Sequence, residues 1–352
     1  MRANPLLEKL DPAAEASMRD LIGGAVRTQA IYAVARLGVP DQLALGPRSA
    51  AEVAQASGAH AETLRRVMRY LVTCGVFLEH EDGRFALAPA GEYLQSGHPR
   101  SLRPSAIRAG EGLWQTAGAL CDAVRTGVTP HDAVHGAAFF DRMPGREAAF
   151  AARMSGSTAG IADAVAAHES VADGATLVDA GGGNGWLLMQ ILERRPRLHG
   201  ILLETDAMIA VARQTVSKSE AAARCQLVSG SFFDSIPAGD VVLLSWVLHD
   251  WNDDRARAVV RASRQAGIRT LIIVEVLLPE RAKRIDQAEA GLIADPFTID
   301  LQMLLLTGGK ERTLEEYRAL LLEEGYSLQT TTPLPSKRGA SLLTAYLRPG
   351  YE

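Results

Sequence analysis

Apolar and polar positions alternate with two different periods along the 352-residue chain. From about Glu15 to Leu37 the residues Met18, Leu21, Ile22, Ala25, Val26, Ile31, Val34 and Ala35 recur at helical spacing, and Gly38 and Pro40 end that helix. Ser49 reads as an N-cap for AAEVAQASG, and a further helical stripe runs through Leu64, Val67, Met68, Leu71 and Val72 to Gly75. VFLEHEDGRFALAPAG then reads as two strands around Glu81-Asp82-Gly83, a hairpin. Helix, helix and β-wing make a winged-helix pattern over residues 1–98. Residues 99–170 read as mostly helical, with breaks at Pro104, Gly127, Pro130, Gly136 and Pro144. The large apolar residues Trp114, Phe139, Phe140, Met143 and Met154 of this linker are mostly expected in its core.

From Ala175 the texture changes to strands alternating with helices: ATLVDA, a helix to Arg194, GILLE, a helix over 207–216, CQLVSG, DVVLLSW, a helix from about Asp253 to Ala266, and TLIIVEVL. These strands are continuous apolar runs, as expected for a parallel sheet covered on both faces. Two further helices, 300–306 and 313–324, precede YSLQTTTPLP and ASLLTAYLRP, an antiparallel pair at the sheet edge. Residues 171–352 are therefore expected to form a doubly wound α/β domain behind a mainly helical N-terminal one.

Composition narrows the classes. Hydrophobic content of 47% and charged content of 22% describe a soluble globular protein, and a net charge of −4 gives no general attraction to nucleic acid or an anionic membrane. Arg65, Arg66 and Arg69 on the second helix could meet phosphates, but dimerisation or substrate covering suits the broad apolar faces better. Cys74, Cys121 and Cys225 are odd in number and far apart, which fits a reducing cytoplasm and neither a disulfide framework nor a zinc site. MRANPLLEKLDP lacks a signal-peptide core, and no run approaches a membrane span.

The stretch LVDAGGGNGWLL, Leu177 to Leu188, carries the first chemistry. An apolar strand ends in Asp179, turns through Gly181-Gly182-Gly183-Asn184-Gly185 and enters a helix, which is how α/β sheets open a small-molecule site. A dinucleotide fingerprint would need its third glycine at Trp186; the acid-first spacing Asp179-x-Gly181-x-Gly183-x-Gly185 is instead that of S-adenosylmethionine (SAM) sites. Asp179 can attract the SAM ammonium. Glu204, at the end of the second strand and about twenty residues after the turn, lies where its carboxylate could accept hydrogen bonds from both ribose hydroxyls. In GSFFD, Phe232 could cover the adenine face and Ser231 bond its edge.

LLSWVLHDWNDD places His249 just past the fourth strand, beside Asp250 and Trp251. Methyl transfer from a sulfonium needs an electron-rich acceptor, and a phenol of pKa ~10 needs a base near neutral pH. Histidine suits that task. Two carboxylates could hold its tautomer: Glu275, which interrupts the apolar strand LIIVEVL, and Glu311 in GGKERT, whose solvated-loop reading is equally open. His249 and Asp250 alone make no convincing metal set.

Together VDAGGGNG, Glu204, GSFF, LHDW and GGKERT resemble the plant caffeate-type and bacterial antibiotic-type O-methyltransferases over nearly the whole chain, including AVRTG, HG and FFD between Ala123 and Asp141. The resemblance implies His249 as general base flanked by Glu275 and Glu311. It also implies a homodimer whose N-terminal segment closes the partner's acceptor pocket, with Asp300 and Met303 on the pocket wall. Met154 and Asp250 are placed with them on the acceptor side, Ser245 and Trp251 on the cofactor side. The family usually has aspartate where Ser231 stands, and its plant members lysine where Ser245 stands. The expected activity is SAM-dependent O-methylation of an aromatic or polycyclic hydroxyl in bacterial secondary metabolism. C- or N-methylation, a SAM-retaining decarboxylase, hydroxylase or pericyclase, and a winged-helix DNA-binding regulator are the alternatives.

Overall fold

The computed structural model describes residues 11–143, 145–148, 150–151, 160–283, 295–335 and 339–351, in two compact units, 1–118 and 119–352. The first unit opens on α1 (Pro12–Arg36), capped by the Asp11 carboxylate. Its C-terminal half buries Val34 and Ala35, but Met18, Leu21, Ile22 and Val26 leave an apolar stripe exposed on its N-terminal half. Strand β1 (Arg48–Ser49) leads into α2 (Ala50–Ser57), where Ser49 and Glu52 form the reciprocal capping box that the sequence signals. Helix α3 (Ala61–Thr73) and the hairpin of β2 (Phe77–Glu79) and β3 (Arg84–Leu87) complete the expected wing, and β1 pairs with β3. Helix α4 (Arg103–Gly110) packs on α1, where Gly110 lies so close to the Tyr32 ring that a side chain would overlap it. The core gathers Val34, Val53, Met68, Leu71, Phe77 and Phe85.

The second unit opens on a short helix over Leu120–Thr126, continues through α5 (Pro130–His135) and α6 (Ile161–Ala167), and then alternates. In order come β4 (Thr176–Ala180), α7 (Trp186–Arg194), β5 (His199–Glu204), α8 (Asp206–Val216), β6 (Cys225–Ser229) and β7 (Val241–Ser245). They are followed by α9 (Asp253–Gln265), β8 (Thr270–Leu278), α10 (Pro296–Leu306), β9 (Arg312–Thr313), α11 (Leu314–Glu323), β10 (Tyr326–Pro333) and β11 (Ala340–Leu347). Among the described residues an eight-stranded sheet runs β10-β11-β8-β7-β4-β5-β6, with β9 added to β8. The pairs from β8 to β6 are parallel, and β11 enters antiparallel between β8 and the edge strand β10.

Alternate residues feed opposite faces. Leu177, Leu243, Ile272 and Leu342 meet α6, α7 and α8 on one side; Val178, Val242, Ile273 and Leu343 meet α9 and α11 on the other. Both faces are covered, which accounts for the unbroken apolar runs. The strand order reverses at β4, where neighbouring connections leave in opposite directions and a crevice opens beyond the strand ends.

Candidate active site

At that crevice β4 hands over to the glycine turn. Gly181, Gly183 and Gly185 take φ of 80°, 60° and 73°, a region side-chain-bearing residues rarely enter. Gly182 is needed for another reason: its Cβ would overlap the Asp179 carboxylate beneath the turn. At Gly183 nothing stands within 4 Å of an added Cβ, so the turn is open there. Glu204 ends β5 with Oε1 accepting the Gly183 amide at 3.0 Å and Oε2 the Thr205 amide at 2.9 Å. The Phe232 ring and Val247 close over Gly181, at 3.2 and 3.0 Å from a Cβ built there. Ser231 is half-buried and its Oγ accepts from its own neighbour, the Phe233 amide.

Asp179 is wholly enclosed, and neither carboxylate oxygen has a hydrogen-bond partner among the described residues. A ligand reaching this turn therefore meets the charge of Asp179 through the glycine backbone and not by contact. Burial, reinforced by the nearby Glu204 charge, pushes the Asp179 carboxyl up to about 7. Burial raises Glu204 too, against the two amides that favour its ionised form. Ser245 Oγ, at the end of the adjacent strand β7, is also buried with no hydrogen-bond partner among the described residues. Unsatisfied polar atoms at two neighbouring strand ends, beside a turn cleared of side chains, fit a bound polar ligand carrying a cation.

The second half of the site is the turn after β7. The apolar run predicted a strand through Trp246, but the strand stops at Ser245 because Trp246 adopts φ 58°. Such a conformation costs of order 1–3 kcal/mol for a bulky residue and persists only where its surroundings impose it. Here they do. Glu275 Oε1, from β8, accepts the amides of Val247, Leu248 and His249 at 3.1, 2.9 and 3.3 Å. Arg312 donates to the carbonyls of Leu248 and Trp251, both at 2.8 Å, and to Asp253 Oδ1 at 2.9 Å. The charge that interrupts LIIVEVL is thus an anion cap for a tight turn.

His249 is 3% exposed, and its Nδ1 lies 2.7 Å from Glu311 Oε1 and 3.6 Å from Glu275 Oε2. A carboxylate at 2.7 Å requires Nδ1–H to donate, which leaves Nε2 as the free nitrogen, 3.9 Å from Asp250 Oδ1. Burial disfavours the imidazolium, but Glu275, Asp250 and Glu311 outweigh it and push His249 up to about 10. Glu275, sealed in and facing the second carboxylate, is pushed up to about 7. The three groups have ligand atoms within 4.8 Å of one another, a spacing compatible with a metal. Two ligands of a tetrahedral ion would stand about 3.3 Å apart, however, so the 2.7 Å contact is that of a shared proton.

The remaining candidates fall around this turn. The half-buried Asp300, on α10, accepts the Glu311 backbone amide at 2.9 Å and so ties down the main chain that carries that carboxylate. Met303 is half-buried one turn further along the same face. Trp251 joins an aromatic group: Phe140 at 5.3 Å, Phe233 at 4.8 Å and Phe232 at 6.2 Å between ring centres, with the Arg255 guanidinium 4.4 Å from its own ring. Met154 lies outside the described residues. Sequence reasoning missed Gly309, against whose Cα the backbone of His249, Asp250 and Trp251 packs, and Arg312, which is fully buried. Both stand in GGKERT, and only their place beside Glu311 could have pointed to them.

Comparison with known proteins agrees with this geometry. Residues 117–327 match the O-methyltransferase domain and residues 19–97 the O-methyltransferase dimerisation domain. The chain is 34% identical to the phenazine O-methyltransferase of Lysobacter antibioticus, over 92% of this chain and 94% of that protein. It is also 34% identical to the mitomycin biosynthesis 6-O-methyltransferase of Streptomyces lavendulae, over 91% of each. An O-methyltransferase from neocarzinostatin biosynthesis, solved with SAM and 2-hydroxy-5-methyl naphthoic acid, superposes with a TM-score of 0.79 at 30% identity, over 91% of this chain and 96% of that one. A glycine turn cleared of side chains, a buried histidine held by carboxylates after β7 and these matches along both units lead to one assignment: the chain belongs to the O-methyltransferase family, as a SAM-dependent enzyme with its dimerisation domain at the N-terminus.

Proposed function

We propose that the protein methylates a phenolic hydroxyl of an aromatic or polycyclic small molecule, with His249 as the general base. The 2.7 Å contact between His249 Nδ1 and Glu311 carries this reading, because it commits Nδ1 to the carboxylate and leaves Nε2 as the nitrogen to take an acceptor's proton. When bound, SAM supplies an electrophilic methyl on its sulfonium. Glu204 holds the ribose hydroxyls, Gly181 and Gly183 let the cofactor approach the backbone, and Phe232, Ser231 and Trp251 bound the adenine. Ser245 and the enclosed charge of Asp179 face the amino-acid end. Asp250, Asp300 and Met303 shape the acceptor side. Holding acceptor oxygen, methyl and sulfur in line supplies much of the acceleration. Incubation with methyl-labelled SAM and a panel of phenols, followed by mass analysis of the product, tests the assignment; label on carbon or nitrogen alone, or no S-adenosylhomocysteine (SAH) release, would overturn it.

Cofactor binding is expected to release a proton. Asp179 is largely protonated below about 7, and a ligand ammonium favours its ionised form, so SAH affinity should climb as pH rises from 6 toward 8 and then level. Calorimetry in two buffers of different ionisation enthalpy reads that proton directly. Equal heats in both at pH 6.5 would contradict it.

We further read the enzyme as a cytoplasmic homodimer, in line with its three free cysteines and with the exposed stripe Met18, Leu21, Ile22 and Val26 on α1. Ile22→Glu with Leu21→Glu puts two charges into that stripe and is expected to yield monomers by analytical ultracentrifugation. A double variant that sediments like the parent would remove α1 from the interface.

A further inference from the structure

The turn bearing His249 is strained at Trp246 and gripped from two sides by groups of opposite charge. Glu275 takes its amides. Arg312 takes its carbonyls, with Nη1 on Leu248 and Nη2 on Trp251, the residues immediately before and just after His249-Asp250, and it is 0% exposed. Taking a guanidinium wholly out of water is expensive, and its carboxylate partner Asp253 is itself only part-buried. A neutral side chain would fill the space at lower cost, so the charge and the fork geometry are what the site retains. A planar guanidinium reaches two carbonyls at once; an ammonium is a point donor and does not. Arg312 also follows Glu311 directly in the chain, so the first residue of β9 and the residue just before that strand supply the clamp on the turn's backbone and the carboxylate on the imidazole.

We propose that Arg312 is a positioning residue for methyl transfer: by bridging the carbonyls of Leu248 and Trp251 it sets the backbone that aims the His249 imidazole, in register with the Glu311 carboxylate. It touches neither the reacting atoms nor the glycine turn. Its contribution therefore passes through His249, and rests on His249 being the base.

The test uses the full-length protein with SAH bound. A far-downfield proton resonance, identified as His249 Nδ1–H by its loss in His249→Gln, is expected to vanish or shift in both Arg312→Met and Arg312→Lys, while SAH affinity stays within about threefold. Turnover with the acceptor found in the phenol panel should fall about 10²-fold, the scale of a 1 Å misplacement. In a His249→Gln background Arg312→Met should cost less than about threefold, because residues acting through one group are not additive. A retained resonance in both variants, or the same loss in the His249→Gln background, would overturn the proposal. So would failure of both variants to fold, since a residue that only aims the base leaves Arg312→Lys folded. Full turnover of His249→Gln alone would instead overturn the base assignment, leaving the resonance as the measure of Arg312.

Discussion

His249→Ala is expected to lower kcat by about 10²- to 10⁴-fold toward phenols of pKa ~10, with SAH affinity unchanged. The magnitude is that of a lost general base, which the proposal places at Nε2 because Nδ1 is committed to Glu311. The raised proton affinity of His249 adds a pH signature. Burial works against the charge, but Glu275, Asp250 and Glu311 lift the imidazole to about 10, so the resting enzyme at pH 7 carries an imidazolium. A complex ready for transfer holds one proton between imidazole and phenol oxygen; at pH 7 the pair holds two. Raising the pH removes the extra proton, so kcat/KM for a phenol of high pKa should increase about tenfold per unit from pH 7 to 9. An acceptor with a pKa below 7 enters as phenolate, pairs with the imidazolium and should show a flat profile over the same range. His249→Ala should then cost it less. A series of substituted phenols assayed across pH separates these cases, and a parent enzyme with a flat profile for every acceptor would contradict the assignment.

The parts of this site that could be read from the sequence are those that are local in the chain. The acid-first glycine spacing, the acid ending the next strand and the histidine after the fourth strand each occupy a few residues, and the parallel sheet with its antiparallel edge pair follows from the alternation around them. What was hidden is long-range or conformational. Glu275 and Glu311 are 26 and 62 residues from His249, and only the folded chain distinguishes a carboxylate on the turn's amides from one on its imidazole. The φ of 58° at Trp246 contradicts its residue type and is imposed by partners in β8 and β9, so an apolar run could only predict more strand. Asp179 reads as a ligand contact in one dimension, yet the turn it precedes folds back over it.

The other large effect falls on a residue with no functional group. In Gly309→Ala the added methyl would overlap the carbonyl oxygen of His249 and the carbonyl carbon of Asp250, and stand 2.7 Å from the Trp251 nitrogen. All three are backbone atoms, so no side-chain rotation relieves the overlap. Either the His249 turn gives way, against the Glu275 and Arg312 bonds that hold it, or the 308–312 segment retreats and takes Glu311 off Nδ1. Both routes change the one distance on which the base depends. Turnover is expected to fall about 10²-fold, and stability by about 1–3 kcal/mol as for other overpacked sites. SAH affinity should remain near that of the parent, because the glycine turn and Glu204 lie on other segments. Gly118→Ala, where nothing stands within 4 Å of the new carbon, is the matched control and should leave turnover unchanged. If Gly309→Ala keeps turnover within about threefold of the parent, the turn tolerates displacement and rigid placement of His249 is not what the site requires.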